Sequence, residues 1–451
     1  MTSPADLTLL EAAAALRSGT LTSRSLTEAV LERIEAHKQL CAFTHVAADA
    51  LAQADAADAR LAAGNDPGPF CGLPVAIKDL IDVAGQPATC GSAVLAGRVA
   101  DADAAAVARL RAQGAVLIGK LATYEFAMVG PDMNLPDPPA RNPWNIDHIT
   151  GGSSSGSAAA VAGGLVRFAL GTDTGGSVRS PAAYCGCVGL KPSFGRVPLA
   201  GAFPLSPSLD HVGPLAATVA EAALALDALG DGGHWRPASA MIGKSIEGLR
   251  IGYARRWFAD DPQCSAAVVS ALDDAAAMLS MRGARVSLIE LPDYAPYEAA
   301  ASVILHAEAL AAHADLIATR QAAYGKPTLQ CLAFGAVVSD TDLALARRAV
   351  QPLTEAMTLA MAGHDVVLTA TTLGPALPFS AFGGEKAVWT PMRTIAFNLT
   401  GQPALSVPCG FDSGLPLGLQ LVAGLGAEDM LCRVGHAFEQ ATDHAALRPG
   451  A

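Results

Sequence analysis

Lys78 sits in LPVAIKDLIDV, among Val75, Ala76, Ile77 and Leu80. An ammonium in such surroundings is desolvated, and a pKa drop of about 3 units corresponds to roughly 4 kcal/mol. A lysine lowered in this way can serve as a base. The same pattern also suits an edge-strand lysine that pairs with Asp79 or turns to solvent. A second stretch, ITGGSSSGSAAAVAGG from Ile149 to Gly164, offers Ser153, Ser154 and Ser155 at the mouth of an alanine-rich helix, where serine and glycine are also ordinary loop and cap residues. A third, LGTDTGGSVRSPAAYCG from Leu170 to Gly186, places Gly175 and Gly176 before Ser177. Consecutive glycines let several backbone N–H groups surround one point, an anion nest that in acyl transfer becomes an oxyanion hole; a plain turn has the same composition.

Other chemistries compete for these residues. Gly152 to Gly156 satisfies GxSxG, a nucleophile elbow that would make Ser154 the nucleophile of an α/β-hydrolase-type esterase and require a later acid and histidine. The ARNPWNIDHIT that precedes it reads as a loop, where an elbow needs a strand. A phosphate-binding loop fails because Ser157 stands where lysine is needed. No HExxH occurs, and His306 and His313 lack an accompanying carboxylate and cysteine set, so neither a metal nor a cofactor is expected. The nine cysteines, including Cys185 and Cys187, read as free thiols.

Taken together, the three stretches resemble the amidase signature family of Ser-Ser-Lys hydrolases, in which a strand lysine precedes GGSSxGS and GTDTGGSxRxPA follows. Here Ser153 stands 75 residues after Lys78 and Ser177 stands 24 after Ser153, in agreement with that arrangement. The match is close from about residue 70 to 230 and looser over FNLTGQPALSVPCGF and GLPLGLQLVAG. The resemblance implies Ser177 as nucleophile, Ser153 as a bridging serine held by a cis peptide, and Lys78 as base. It implies an oxyanion hole from the N–H groups of Thr174, Gly175, Gly176 and Ser177, with Ser154, Asp173 and Arg179 in support. Ser155 departs from the glycine of many members.

That family's chemistry would be amide hydrolysis through an acyl-enzyme, with esters and carbamates (urethanes) as further small-molecule substrates. The alternative is the glutaminase component of a tRNA-dependent amidotransferase, which shares these motifs. A catalytically silent binding module is disfavoured by the intact set Lys78, Ser153 and Ser177. For the pocket, Tyr124, Phe126 and Met128, followed by the loop PDMNLPDPP, are expected to line an apolar channel, with residues 300 to 390, including LGPALPFSAFGGEKAVW, as a second wall.

The elements that must position these residues are legible as well. Of 451 residues, 51% are hydrophobic and 16% charged, enough apolar material for a large core and against disorder. A net charge of -12 without a basic block argues against nucleic acid as a partner of this chain. No signal-like leader and no uninterrupted run of eighteen apolar residues is seen, so the expectation is a cytoplasmic chain that engages no membrane, with a homodimer among the assemblies allowed. Thr8 to Glu11 has capping-box spacing and Gly19 a helix-stop position; helices are expected from Ser25 to His37 and near 48–63, 219–229, 264–282, 295–316 and 340–361. Strands are expected at LPVAIKDLIDV, AVLIGKLA, LRIGYA, ARVSLIEL and DVVLTA. This alternation predicts an α/β fold. With the resemblance it becomes a single large domain over 1–451, a central mixed β-sheet covered by helices on both faces: N-terminal helices to about 65, a catalytic core over 66–230, a variable region over 240–390, and C-terminal core elements over 391–445.

Overall fold

The strands form where the apolar runs lie. In the computed structural model, which describes residues 3–230, 233, 235–382, 387–444 and 446–449, they are β1 (Phe43–Val46), β2 (Pro74–Lys78), β3 (Val116–Leu121), β4 (Arg141–Asn142), β5 (Asn145–Ile149), β6 (Phe168–Asp173), β7 (Val188–Lys191), β8 (His211–Ala216), β9 (Arg250–Tyr253), β10 (Arg285–Leu288), β11 (Val366–Ala370), β12 (Ala404–Asp412) and β13 (Leu415–Val422). Eleven of them make one sheet in the order β1-β3-β2-β6-β8-β7-β12-β13-β11-β9-β10, while β4 and β5 pair separately. The sheet is mixed: β2 runs parallel to β3 and β6, and β9 to β10 and β11, whereas β6, β7, β8, β12 and β13 join antiparallel. Every residue of β2, β3, β6, β8, β11 and β13 is buried, as strands covered on both faces must be.

Two consequences position the site. First, β2 and β6 are parallel neighbours, with Ile77 opposite Leu170, so Lys78 and Asp173 end their strands at the same edge of the sheet. Side loops and ligands gather beyond the carboxyl ends of parallel strands. Second, residues alternate faces along a strand. Val75 and Ile77 enter one core, while Ala76 enters another with Ala158, Ala159 and Ala160 of the helix Ser155–Ala162. Lys78 shares the parity of Ala76, which brings it beneath that helix's N-terminus and the serines preceding it.

The expected helices form at Leu9–Ser18, Ser23–Ala36, Ala50–Ala62, Val219–Leu229, Ala266–Met281, Tyr294–Arg320 and Asp340–Met361. The first carries the Thr8–Glu11 capping box and ends on Gly19 at φ 71°. The second starts two residues earlier than expected because Thr22 and Ser25 cap it reciprocally. Helix Tyr294–Arg320 is long and apolar enough to cross a membrane by composition alone. Its Tyr297, Ile304 and Leu305 pack instead into a core shared with Leu332 and Met357 of the two following helices.

Candidate active site

Lys78 closes β2 with its side chain wholly buried. Its Nζ lies 2.7 Å from Ser153 Oγ, 3.1 Å from Ser154 Oγ and 2.7 Å from Thr172 Oγ1. Burial lowers its pKa to about 7, against the opposing pull of the Asp173 and Asp210 carboxylates. The neighbouring Asp79 does not pair with it; that carboxylate bonds Lys120 Nζ at 2.7 Å. The edge-strand and solvent readings of Lys78 are thereby excluded.

The hydroxyl protons can be assigned by counting. Ser154 Oγ donates to Thr172 O at 3.1 Å, so toward Lys78 it can only accept. A neutral amine has two N–H bonds and one lone pair. Directing the N–H bonds at Ser154 and Thr172 leaves the lone pair for the Ser153 hydroxyl, the arrangement a proton-accepting lysine needs.

The peptide Gly152–Ser153 is cis. Gly152 is obligatory for space, because a Cβ there would fall 2.3 Å from Tyr124 Cε2. Gly176 is obligatory as well: its φ is 127°, and a Cβ would meet Thr394 Oγ1 at 2.3 Å. Ser177 follows it, half-buried, on the wall of a cavity of about 640 Å3. The two serine loops are tied by Ser154 N–H, which donates to Ser177 O at 3.2 Å. Among the described residues Ser153 Oγ and Ser177 Oγ share no hydrogen bond of normal geometry, and such catalytic contacts commonly close only around substrate.

Asp173 organises the Ser177 loop from behind. Its carboxylate accepts the N–H groups of Gly176 at 2.8 Å and Val178 at 3.1 Å, two bonds from the Arg179 guanidinium at 3.0 and 2.9 Å, and one from Asn398 Nδ2 at 2.9 Å. Burial opposes its ionisation, but the Arg179 charge and these hydrogen bonds hold it far below the usual carboxylate range. Of the four N–H groups expected to form an oxyanion hole, Thr174, Gly175, Gly176 and Ser177, that of Gly176 is thus already engaged by the loop itself.

A family model described as Amidase matches residues 25–432. The chain belongs to the Amidase family. It is 39% identical, over 97% of each chain, to a glutamyl-tRNA(Gln) amidotransferase component of Roseiflexus sp. strain RS-1. Among solved structures it is similar to native peptide amidase from Stenotrophomonas maltophilia, with TM-score 0.87, 31% identity and coverage of 99% of this chain and 98% of that one. It is also similar to a chain in a vestigial protein complex tied to the origins of an s-triazine catabolic enzyme, with TM-score 0.88, 32% identity and coverage of 96% and 98%.

Within this Amidase-family chain, several expectations need correction. Ser154 is fully buried at the N-cap of helix Ser155–Ala162, and β5 before it lies outside the large sheet, paired with β4, so the nucleophile-elbow esterase is overturned. Tyr124 and Met128 line the cavity, but Phe126 does not. The kink at Phe126, φ 49°, turns its ring into a buried cluster with Phe203, His313 and Tyr324 at centroid distances of 5.0, 4.5 and 5.5 Å. The loop PDMNLPDPP also stays off the cavity, whose lining on this segment ends at Gly130. Of the expected second wall over 300–390, only Ser302, Leu305, His306 and residues 388–390 border the cavity, which is completed by residues 293–298 and 391–395; positions 383–386 of LGPALPFSAFGGEKAVW lie outside the described residues.

Three functional neighbours of the amidase site escape the motif reading. Thr172 is the third partner of Lys78, and it stands in view inside LGTDTGG. Asn398 and Gln420 accept from Arg179 Nη2 and Nη1, both at 2.7 Å. Gln420 carries a signal, being the one polar side chain in the apolar strand LPLGLQLV.

Proposed function

We propose that the chain hydrolyses small, uncharged amides through an acyl-enzyme on Ser177. The observation that carries this reading is a buried, near-neutral amine held by three hydroxyls at the edge of a substrate-sized cavity. Uncharged Lys78 takes the Ser153 proton while Ser153 takes that of Ser177, whose oxygen bonds to the substrate carbonyl carbon. The N–H groups of Thr174, Gly175 and Ser177 hold the resulting oxyanion, each worth about 3 kcal/mol where removed in comparable sites. The C–N bond then breaks as the relay returns its proton to the departing amine. Water repeats the sequence on the ester, releasing the acid and restoring Ser177. Esters and carbamates present the same acyl carbon to the same groups.

An uncharged substrate is favoured by the ions of the cavity. Its one arginine or lysine among the described lining residues is Arg393, which is bound to Asp261, to Trp257 O at 2.8 Å and over the Tyr294 ring at 4.5 Å. The α-carboxylate of free glutamine would find no unpaired cation there. Burial also keeps His306 below its ordinary pKa, so it adds no charge at neutral pH.

The second reading, a glutaminase half of an amidotransferase, has the names of the curated relatives on its side, since full-length chains up to 39% identical are components of that enzyme. On relatedness it is the better supported of the two, and on cavity charge the worse. Assaying the purified chain on aliphatic amides, anilides and glutamine, without ATP or tRNA, separates them. Turnover of neutral amides by the chain alone supports hydrolysis; glutamine turnover dependent on a copurifying protein overturns it.

A further inference from the structure

Beyond the nucleophile loop, the cavity carries two features that the catalytic chemistry does not use. Trp389 borders it with 54% of its surface exposed, an unusual state for so large an apolar side chain. Among the described residues it has no ring partner. Tyr294, on the same cavity, is by contrast held rigid: Trp257 packs edge-on at 5.2 Å and the Arg393 guanidinium covers its face at 4.5 Å. One wall aromatic is thus clamped by the protein, and the other is more than half exposed.

The second feature is the charge of the rim. Asp293 and Glu298, at the start of helix Tyr294–Arg320, are exposed, and neither has an ion-pair partner among the described residues. The cavity's one guanidinium is spent on Asp261. The entrance therefore carries uncompensated negative charge beside an open aromatic surface.

We propose that the preferred substrates are amides or carbamates bearing an aryl group, stacked on Trp389, whose far end is neutral or cationic, with Glu298 and Asp293 disfavouring anions. This rests on the hydrolase reading above and names its substrate class. An aryl ring covers the Trp389 face that the protein leaves bare. A protonated amine beyond the ring meets the carboxylates, while a carboxylate there is repelled at a rim of one sign.

The test uses the full chain and defined probes: propionamide, acetanilides carrying para methyl, aminomethyl or carboxylate groups, and benzamides with the same three substituents. Wild type is expected to turn over the methyl and aminomethyl compounds faster than the carboxylates. Trp389→Ala should lower the aryl-to-propionamide ratio of kcat/KM by about tenfold in at least one series, through KM, while Trp389→Phe retains most of it. Asp293→Asn combined with Glu298→Gln should narrow the aminomethyl-to-carboxylate ratio about threefold, as should about 0.5 M salt. An unchanged ratio in both aryl series of Trp389→Ala, or equal turnover of ammonium and carboxylate compounds by wild type, overturns the proposal. If wild type turns over none of these probes, propionamide included, the hydrolase reading itself falls.

Discussion

Ser153, Ser154 and Thr172 meet within 3.1 Å of the Lys78 amine in a buried region, whereas Glu298 and Trp389, on the outer wall of the cavity, stand in solvent. The floor of the cavity is redundantly bonded: Asp173 alone collects backbone N–H groups, a guanidinium and an amide, which fix the Ser177 loop at several points. The wall comes from a different part of the chain, a long helix and the segment 388–395. Buried charge demands complete pairing, because an unpaired group there costs several kcal/mol; a solvated rim carries no such demand. The proposed chemistry thus lies where substitution is expensive, and the proposed selectivity where it is cheap.

The contrast breaks most sharply at the floor. Ser177→Ala and Lys78→Ala should each lower kcat roughly 10^4-fold, with Ser153→Ala close behind and a far-ultraviolet spectrum that stays native. Retained activity in Ser177→Ala would remove the floor from catalysis altogether. Phe126→Ala tests the boundary between the regions. Its ring is core, so the variant should lose about 3 to 5 kcal/mol of unfolding free energy while substrate preference holds; a shift in preference without loss of stability would return Phe126 to the cavity.

Smaller effects sharpen the picture. Lys78 must be uncharged to accept a proton and its pKa lies near 7, so kcat/KM should rise with pH through about 7 and fall as acid protonates the amine. Thr172→Val removes an acceptor that stabilises the ammonium form, so the rising limb should move to lower pH while kcat falls about tenfold or less. A limb that stays in place would disconnect Thr172 from the base. At the wall, Met128→Ala should alter the ranking of amides by only a few-fold, leaving the pH profile untouched, which paired profiles on two substrates would check.

Much of this is legible in the sequence. Strands and helices follow from apolar periodicity, down to Val219–Leu229 and Asp340–Met361 at their expected bounds. Local chemistry marks the residues proposed to bear the reaction, since Lys78 inside an apolar run and serines among glycines are costly choices without a purpose. Other assignments fail for definable reasons. Placing Tyr124, Phe126 and Met128 together in one channel treats them as a single face, but the positive φ at Phe126 breaks that face. The glycine pair suggests two equivalent N–H donors, yet Asp173, three residues before Gly176, captures one of them.

The sequence by itself determined the kinds of group available, their order and the elements carrying them, because those depend on interactions between residues close along the chain. Only the tertiary structure decided which partners each group met. Asn398 and Gln420 reach Arg179 across more than 200 positions, and Trp389 comes to the cavity that holds Ser177. Such meetings are set by strand order and helix packing across the whole sheet, and burial then determines whether a lysine is a base or a surface charge. No local spacing encodes that environment.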